Sequence, residues 1–147
     1  MTKFTLSKKA LAEVPTKYTR LILTEDAPSW HRLVETTQGH LEYRLGTGKA
    51  KTLTPRKMHT LVRSIVQAAK AHQIEHLAID LYPTTYPNLQ EHGSEWFYRT
   101  LAENLSLAAY DFTKYKTRTT KRKQLLEVTV CGVDTKKDIV AFKAGLI

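Results

Sequence analysis

Residues 54–83 of the chain are TPRKMHTLVRSIVQAAKAHQIEHLAIDLYP, and this stretch decides the fold. In residues 54–72, apolar side chains recur at the three- and four-residue spacings of one helical face. Thr54 can cap the free amide groups at the start of such a helix. Pro55 suits the first helical position, because the donor that proline lacks would have no intrahelical partner there. The sequence therefore predicts a helix over residues 54–72, with Met58, Leu61, Val62, Ile65, Val66 and Ala69 on its apolar face.

An apolar run at residues 74–82 follows this helix and ends at Pro83, as expected for a short strand that is buried on both faces. Residues 94–112 repeat the helical pattern, and residues 125–132 resemble a second buried strand. A third helix is predicted from Asp134. Upstream, residues 18–24 and 41–45 are strand candidates, with a short helix expected between them at residues 28–34. Strands that alternate with helices indicate an α/β fold with a mostly parallel sheet that helices cover on both faces.

Length and composition indicate one domain over residues 1–147. Hydrophobic residues make up 41% and charged residues 25% of the chain, which excludes a disordered, collagenous or coiled-coil protein. No stretch is apolar for long enough to span a membrane, and the first residues lack the apolar run of a secretory signal. We therefore expect a cytoplasmic protein with no membrane partner. The single cysteine, Cys131, lies in an apolar run and is interpreted as a buried small hydrophobe.

The end of the chain has an amphipathic pattern over residues 134–147, with Ile139, Phe142 and Leu146 on one side. The sequence stops after two aliphatic residues that follow Gly145, without a polar closing segment. This pattern leads us to expect an element cut from a longer protein.

Three short stretches contain residue types that occur in chemical sites. Residues 72–76 spell H-x-x-E-H, but zinc chemistry needs both histidines on one continuous helix, and the predicted helix ends near His72. A helix-to-strand connection is therefore favoured over a zinc site. Residues 46–49 lack the spacing of a phosphate-binding loop and are interpreted as a glycine turn. Asp80 ends a predicted strand, where a carboxylate can serve a functional site or satisfy loop amides.

A basic segment at residues 114–123 carries six of the positive charges and no acidic residue. Aromatic residues lie before and within it, so it could bind phosphate backbones with strong salt dependence. The alternative is a solvated loop between a helix and a strand, which is the more frequent role of such a run. The candidate nucleic-acid contacts are Lys114, Lys116, Arg118, Lys121, Arg122 and Lys123.

Residues 107–116, LAAYDFTKYK, resemble the N-terminal domain of the leucyl (cytosol) aminopeptidase family. That domain typically ends a helix with small residues followed by Tyr-x-Phe-x-x-Tyr-Lys, which Tyr110, Phe112, Tyr115 and Lys116 match. The family's order of strands and helices also fits the pattern described above. We expect the matching residues to be mainly structural, with Phe112 extending the apolar stripe of the second helix and the tyrosines at the rim of the domain.

The resemblance implies a macro-domain-like α/β fold and a parent enzyme that is a two-metal exopeptidase, assembled as a homo-hexamer. It implies that zinc or manganese ligands, the catalytic residues and an Asn-Thr-Asp-Ala-Glu-Gly-Arg motif lie in a C-terminal catalytic domain, so none is carried over onto this chain. Residues 134–147 would begin the linker helix toward that domain. Some members of the family also bind DNA, which supports the alternative of a nucleic-acid-binding module. Binding of ADP-ribose through the macro-like fold is disfavoured, because the six glycines are dispersed.

Overall fold

The computed structural model describes residues 2–27, 30–37, 39–110 and 124–146. They contain six strands, three helices and four short 3-10 segments. The strands are β1 (Lys3–Leu6), β2 (Thr19–Thr24), β3 (His31–Glu35), β4 (Leu41–Gly46), β5 (His76–Ile79) and β6 (Glu127–Val130). The helices are α1 (Pro55–Ala71), α2 (Gly93–Ala109) and α3 (Lys136–Gly145). The 3-10 segments are Leu11–Glu13, Ala50–Thr52, Pro83–Thr85 and Pro87–His92.

The strands form one sheet in the order β1-β6-β5-β2-β4-β3. Every neighbouring pair is parallel except β3 and β4, which form an antiparallel hairpin at one edge. The predicted α/β class with a mostly parallel sheet is confirmed.

The three helices contribute to one core on one face of the sheet, which differs from the expected helical cover on both faces. Connections between parallel strands are almost always right-handed. The connections through α1, from β4 to β5, and through α2, from β5 to β6, step across the sheet in the same direction, so this rule places both helices on the same face. The connection from β1 to β2 steps the opposite way. Accordingly, its Leu11 and Val14 pack against Ala78 and Cys131 in a separate, smaller cluster.

The helix predicted at residues 54–72 is α1. The Thr54 side chain accepts a hydrogen bond from the Lys57 amide, and Pro55 occupies the first helical position. All six residues of the predicted apolar face are buried. The predicted helix at residues 94–112 corresponds to α2, and Phe112 lies outside the described residues. The predicted strands at residues 74–82 and 125–132 shorten to β5 and β6.

The short helix expected at residues 28–34 is wrong, because His31 to Glu35 form β3. This segment pairs residue by residue with β4, and the pairing supplies backbone hydrogen bonds that the local pattern does not reveal. The turn of the hairpin closes with the Thr36 amide on the His40 carbonyl at 2.7 Å, and Gly39 in it has a φ of 81°. Strand β1 was not predicted at all.

Helix α3 covers most of the amphipathic segment predicted at residues 134–147 and packs closely on α2. A Cβ atom placed on Gly145 would collide with the Arg99 carbonyl oxygen and would lie 3.0 Å from the Ala102 Cβ atom. None of the helices in the described ranges is both long and apolar enough to cross a membrane.

Candidate functional site

A cleft of about 340 Å³ opens where β2 and β5 end and the loop after β5 begins. In open parallel sheets, ligands bind in the crevice outside the carboxyl ends of the strands, so this is the expected place for a site. Asp80 follows β5 directly and is the charged residue of the lining. The remaining lining residues are Leu11, Leu21, Ile22, Leu23, Leu81, Tyr82, Thr85 and Tyr86.

Asp80 lies in mainly apolar surroundings. Burial raises the pKa of its carboxyl group above the ordinary value, although the Tyr82 hydroxyl and a backbone amide act in the opposite direction. Burial, together with the negative charge of Asp80, raises the pKa of Tyr86 to about 12. The phenol of Tyr86 therefore stays protonated at neutral pH and can donate a hydrogen bond into the cleft.

Tyr82 packs closely against Gly132, which lies two residues after the end of β6. Gly132 has a φ of 75°, and a Cβ atom there would collide with the Tyr82 ring and hydroxyl. The adjacent Cys131 is fully buried, and burial raises the pKa of its thiol to about 11, with a further contribution from Asp80. The thiol is therefore neutral and unreactive at neutral pH, as the sequence interpretation expected.

We predict that Asp80→Asn increases stability at neutral pH. A carboxyl group with a raised pKa in the folded state stabilises the protein fully below its unfolded pKa, and this contribution is lost as the pH rises through the folded pKa. Asparagine carries no charge to desolvate and still accepts a hydrogen bond from Tyr82. Urea unfolding at about pH 7 should therefore show a higher midpoint for Asp80→Asn, whereas the two proteins should converge near pH 3. A variant less stable at both values would contradict this.

A second polar cluster lies on the sheet face opposite the helices. Oε1 of Glu127 accepts a hydrogen bond from the Tyr18 hydroxyl at 2.8 Å and lies 3.3 Å from Nδ1 of His76, while Thr5 donates to Oε2 at 3.2 Å. Burial raises the pKa of Glu127, but the hydrogen bonds and nearby Lys17 outweigh it and give a net lowering. The carboxylate is thus ionised and fully engaged, which indicates a structural network that ties the connection before β2 to β6.

The H-x-x-E-H residues are not brought together as a metal site. His72 terminates α1, and its ring centroid lies 4.9 Å from that of Tyr43, whereas His76 begins β5 and faces Glu127. Over the described ranges, no group of three or more His, Cys, Asp or Glu residues could hold a metal ion. At residues 46–49, which the sequence interpretation gives as a glycine turn, the Gly48 amide donates to the Asp26 carbonyl at 2.8 Å and Gly48 has a φ of 76°.

The basic segment falls outside the described residues, so the assignment of Lys114, Lys116, Arg118, Lys121, Arg122 and Lys123 as nucleic-acid contacts stays a prediction. The same holds for Phe112 and Tyr115 of the family-like motif. Tyr110 lies at the end of α2 and is 52% exposed. Its structural role also stays a prediction.

Comparison with known proteins gives two kinds of match. The sequence model for the N-terminal domain of the cytosol aminopeptidase family matches residues 43–119, which is more than half of the chain. The chain belongs to the cytosol aminopeptidase family. No curated protein matched the sequence.

Two similar solved structures share the fold of this chain. A mutant of tomato leucine aminopeptidase superposes with a TM-score of 0.71 at 11% identity, over 99% of this chain and 35% of that one. The bottromycin maturation enzyme BotP in complex with Mn superposes with a TM-score of 0.59 at 19% identity, over 90% of this chain and 29% of that one. At these identities the likeness establishes the fold. The chain spans about a third of the length of these proteins.

Within this cytosol aminopeptidase domain, the sequence singled out Asp80 but missed the residues that surround it. Tyr82 and Tyr86 accompany Pro83 and Pro87, which begin the two 3-10 segments after β5. Two prolines shortly after a buried strand were a usable signal for a structured loop at the sheet edge. Leu11 lies in the connection between β1 and β2, on the sheet face opposite the helices. It lines the cleft because of the path of this connection, and nothing in its local sequence indicates this.

Proposed function

We propose that this chain is the non-catalytic N-terminal domain of a metal-dependent leucyl aminopeptidase that removes N-terminal amino acids from peptides. The match to the family's N-terminal domain over residues 43–119 carries the proposal. The superposition on tomato leucine aminopeptidase supports it, since nearly all of this chain corresponds to about a third of that enzyme. The remaining two thirds would correspond to the catalytic domain.

The chemistry of the parent enzyme is assigned to that catalytic domain. The resemblance implies two divalent metals, zinc or manganese, and their ligands lie in the C-terminal domain of such enzymes. The described residues of this chain do not fit these metals, because they contain no cluster of three donor side chains. The isolated chain is therefore proposed to be catalytically inert.

The role proposed for the domain is to support assembly of the parent enzyme as a homo-hexamer and to limit substrate access. Its partners would be its own C-terminal catalytic domain and the other subunits of the hexamer, in the cytoplasm. Helix α3 would begin the linker toward the catalytic domain. The packing of α3 supports this assignment: the helix packs on α2 but leaves the apolar side chain of Val140 58% exposed on its outer side.

A peptidase assay tests the proposal. The purified chain, incubated with leucine p-nitroanilide and either manganese or zinc, should release no p-nitroaniline above the buffer blank, and a complete leucine aminopeptidase serves as the positive control. Turnover that co-purifies with the chain and disappears in His72→Ala or His76→Ala would contradict inertness. The reading frame beyond the codon for Ile147 should encode Asn-Thr-Asp-Ala-Glu-Gly-Arg. Its absence from a complete gene would contradict the proposed parent enzyme.

A further inference from the structure

The cleft at the ends of β2 and β5 contains a carboxylate that no basic side chain of the described ranges neutralises. Asp80 is the charged residue of the lining, and the other lining residues are aliphatic side chains, tyrosines and a threonine. None of the ion pairs formed by the described residues includes Asp80. Carboxylates in partly buried positions are usually paired with a cation. In the described part of the chain, the protein supplies no such cation to Asp80.

The Asp80 carboxylate can accept further hydrogen bonds from the cleft. The Tyr82 hydroxyl and one backbone amide donate to it. An ionised carboxylate accepts about four hydrogen bonds, so roughly two acceptor positions remain. Asp80 is only partly buried and lines the cleft, which makes these positions accessible to a ligand. The hydroxyl oxygen of Thr85, an exposed residue of the same lining, is a further acceptor.

Aliphatic side chains from both faces of the sheet provide the walls of the cleft. Leu21 and Leu81 belong to the main core on the helical face, whereas Leu11 belongs to the smaller cluster on the opposite face. An alkyl chain placed between these walls would be removed from water. The volume of about 340 Å³ is at the low end of the range for ligand pockets, about 300 to 1,000 Å³, and therefore suits a small molecule.

The charge of the lining distinguishes between classes of ligand. A phosphate or carboxylate ligand would meet the negative charge of Asp80, and no Lys, Arg or His is among the described lining residues. A neutral ligand would leave that charge without a partner. A primary ammonium group supplies a positive charge together with three N–H donors. Its attraction to a carboxylate is stronger in partly buried surroundings than in bulk water.

We propose that this cleft binds a small aliphatic primary amine in its ammonium form. The ammonium group donates hydrogen bonds to the Asp80 carboxylate and the Thr85 hydroxyl, and the alkyl chain lies between the leucine walls. The bound cation offsets the free-energy cost of burying the charge of Asp80. This binding is independent of peptidase activity, so it can be measured on this chain.

A titration with n-pentylamine tests the proposal, with 1-pentanol and pentanoate as its neutral and anionic analogues. Amide chemical shifts of the ¹⁵N-labelled chain are followed by NMR at neutral pH. We expect saturable shifts at Asp80, Tyr82 and Thr85, and binding of both analogues that is weaker by at least roughly tenfold. The whole chain has a formal charge of +9, so non-specific attraction would favour pentanoate. A preference for pentylamine therefore reports the cleft.

The matched variants each replace one aspartate by asparagine. Asp80→Asn removes the charge and should bind pentylamine at least roughly tenfold more weakly, with little change for pentanol. This variant is expected to be more stable than the unmodified protein at neutral pH, so its loss of binding would not reflect unfolding. Asp134→Asn changes an exposed residue outside the described lining and should leave the preference unchanged.

Methylamine tests the contribution of the aliphatic walls. It retains the ammonium group but lacks most of the alkyl chain, so it should bind at least roughly tenfold more weakly than pentylamine.

Five outcomes would overturn the proposal. They are shifts that do not saturate, equal affinity for pentanol or pentanoate, equal affinity for methylamine, unchanged pentylamine binding by Asp80→Asn, and an equal loss of binding in Asp134→Asn.

Discussion

Replacing Phe97 by alanine is expected to remove about 3 to 5 kcal/mol from the free energy of unfolding, the range found for buried phenylalanines. Phe97 is 1% exposed in the centre of the core. Its ring stacks on Tyr86 at a centroid distance of 6.3 Å and meets Tyr98 edge-to-face at 5.4 Å. Domains of this size have only about 5 to 15 kcal/mol of stability, so this one substitution should remove a large share of it.

Urea denaturation followed by circular dichroism measures this loss, and Leu107→Ala is the matched control. Leu107 lies on the same helix but is 52% exposed, so its replacement should change the free energy by less than about 0.5 kcal/mol. Similar losses for both variants would show that α2 presents a different face to the sheet.

Replacing Gly145 by valine is expected to cost about 1 to 3 kcal/mol, toward the upper end of that range for overpacked cores. Any side chain at this position collides with the Arg99 carbonyl oxygen on α2. That oxygen belongs to the main chain of a helix, so it cannot move aside as the end of a flexible side chain could. The two helices must separate instead, and the contact between α2 and α3 should loosen.

Ala144→Val is the control for this substitution, because it places the same β-branched residue one position earlier in α3 on an exposed site. Its cost should be about 0.5 kcal/mol, which is the difference in helix propensity. The difference between the two variants isolates the helix contact. Equal melting temperatures would mean that α3 does not approach α2 at Gly145.

The elements that could be predicted from the sequence are those whose signals are local. Helix α1 combines a capping threonine, a proline at its first position and six apolar residues on one face. Strands β5 and β6 are buried on both faces, so their apolar runs stand out. Strand β3 has no such run, because it is an exposed edge strand, and only its pairing with β4 makes it a strand. The four-residue β1 depends in the same way on β6.

The residues of the candidate site also differ in whether a local sequence signal identifies them. Asp80 could be predicted because it ends a recognisable strand. The face on which Leu11 lies could not be predicted, because it depends on the strand order. The same order explains why α1 and α2 share one face of the sheet. The contact between Tyr18 and Glu127 joins residues 109 positions apart. The residue spacings that identify helices and strands extend over only a few positions, so they cannot predict this contact.

The pairing of β1 with β6 also determines when β1 can join the sheet during synthesis. Thr5 and Thr129, which share a hydrogen bond across this pair, are 124 residues apart. On the ribosome, β1 emerges long before β6, which is its only neighbour in the described sheet. At about 5 to 20 residues per second, β1 waits for several seconds or more with Phe4 and Leu6 uncovered. The short length of β1, with Lys3 on it and Lys8 and Lys9 just after it, is of the kind that keeps an unpaired strand from pairing with other chains.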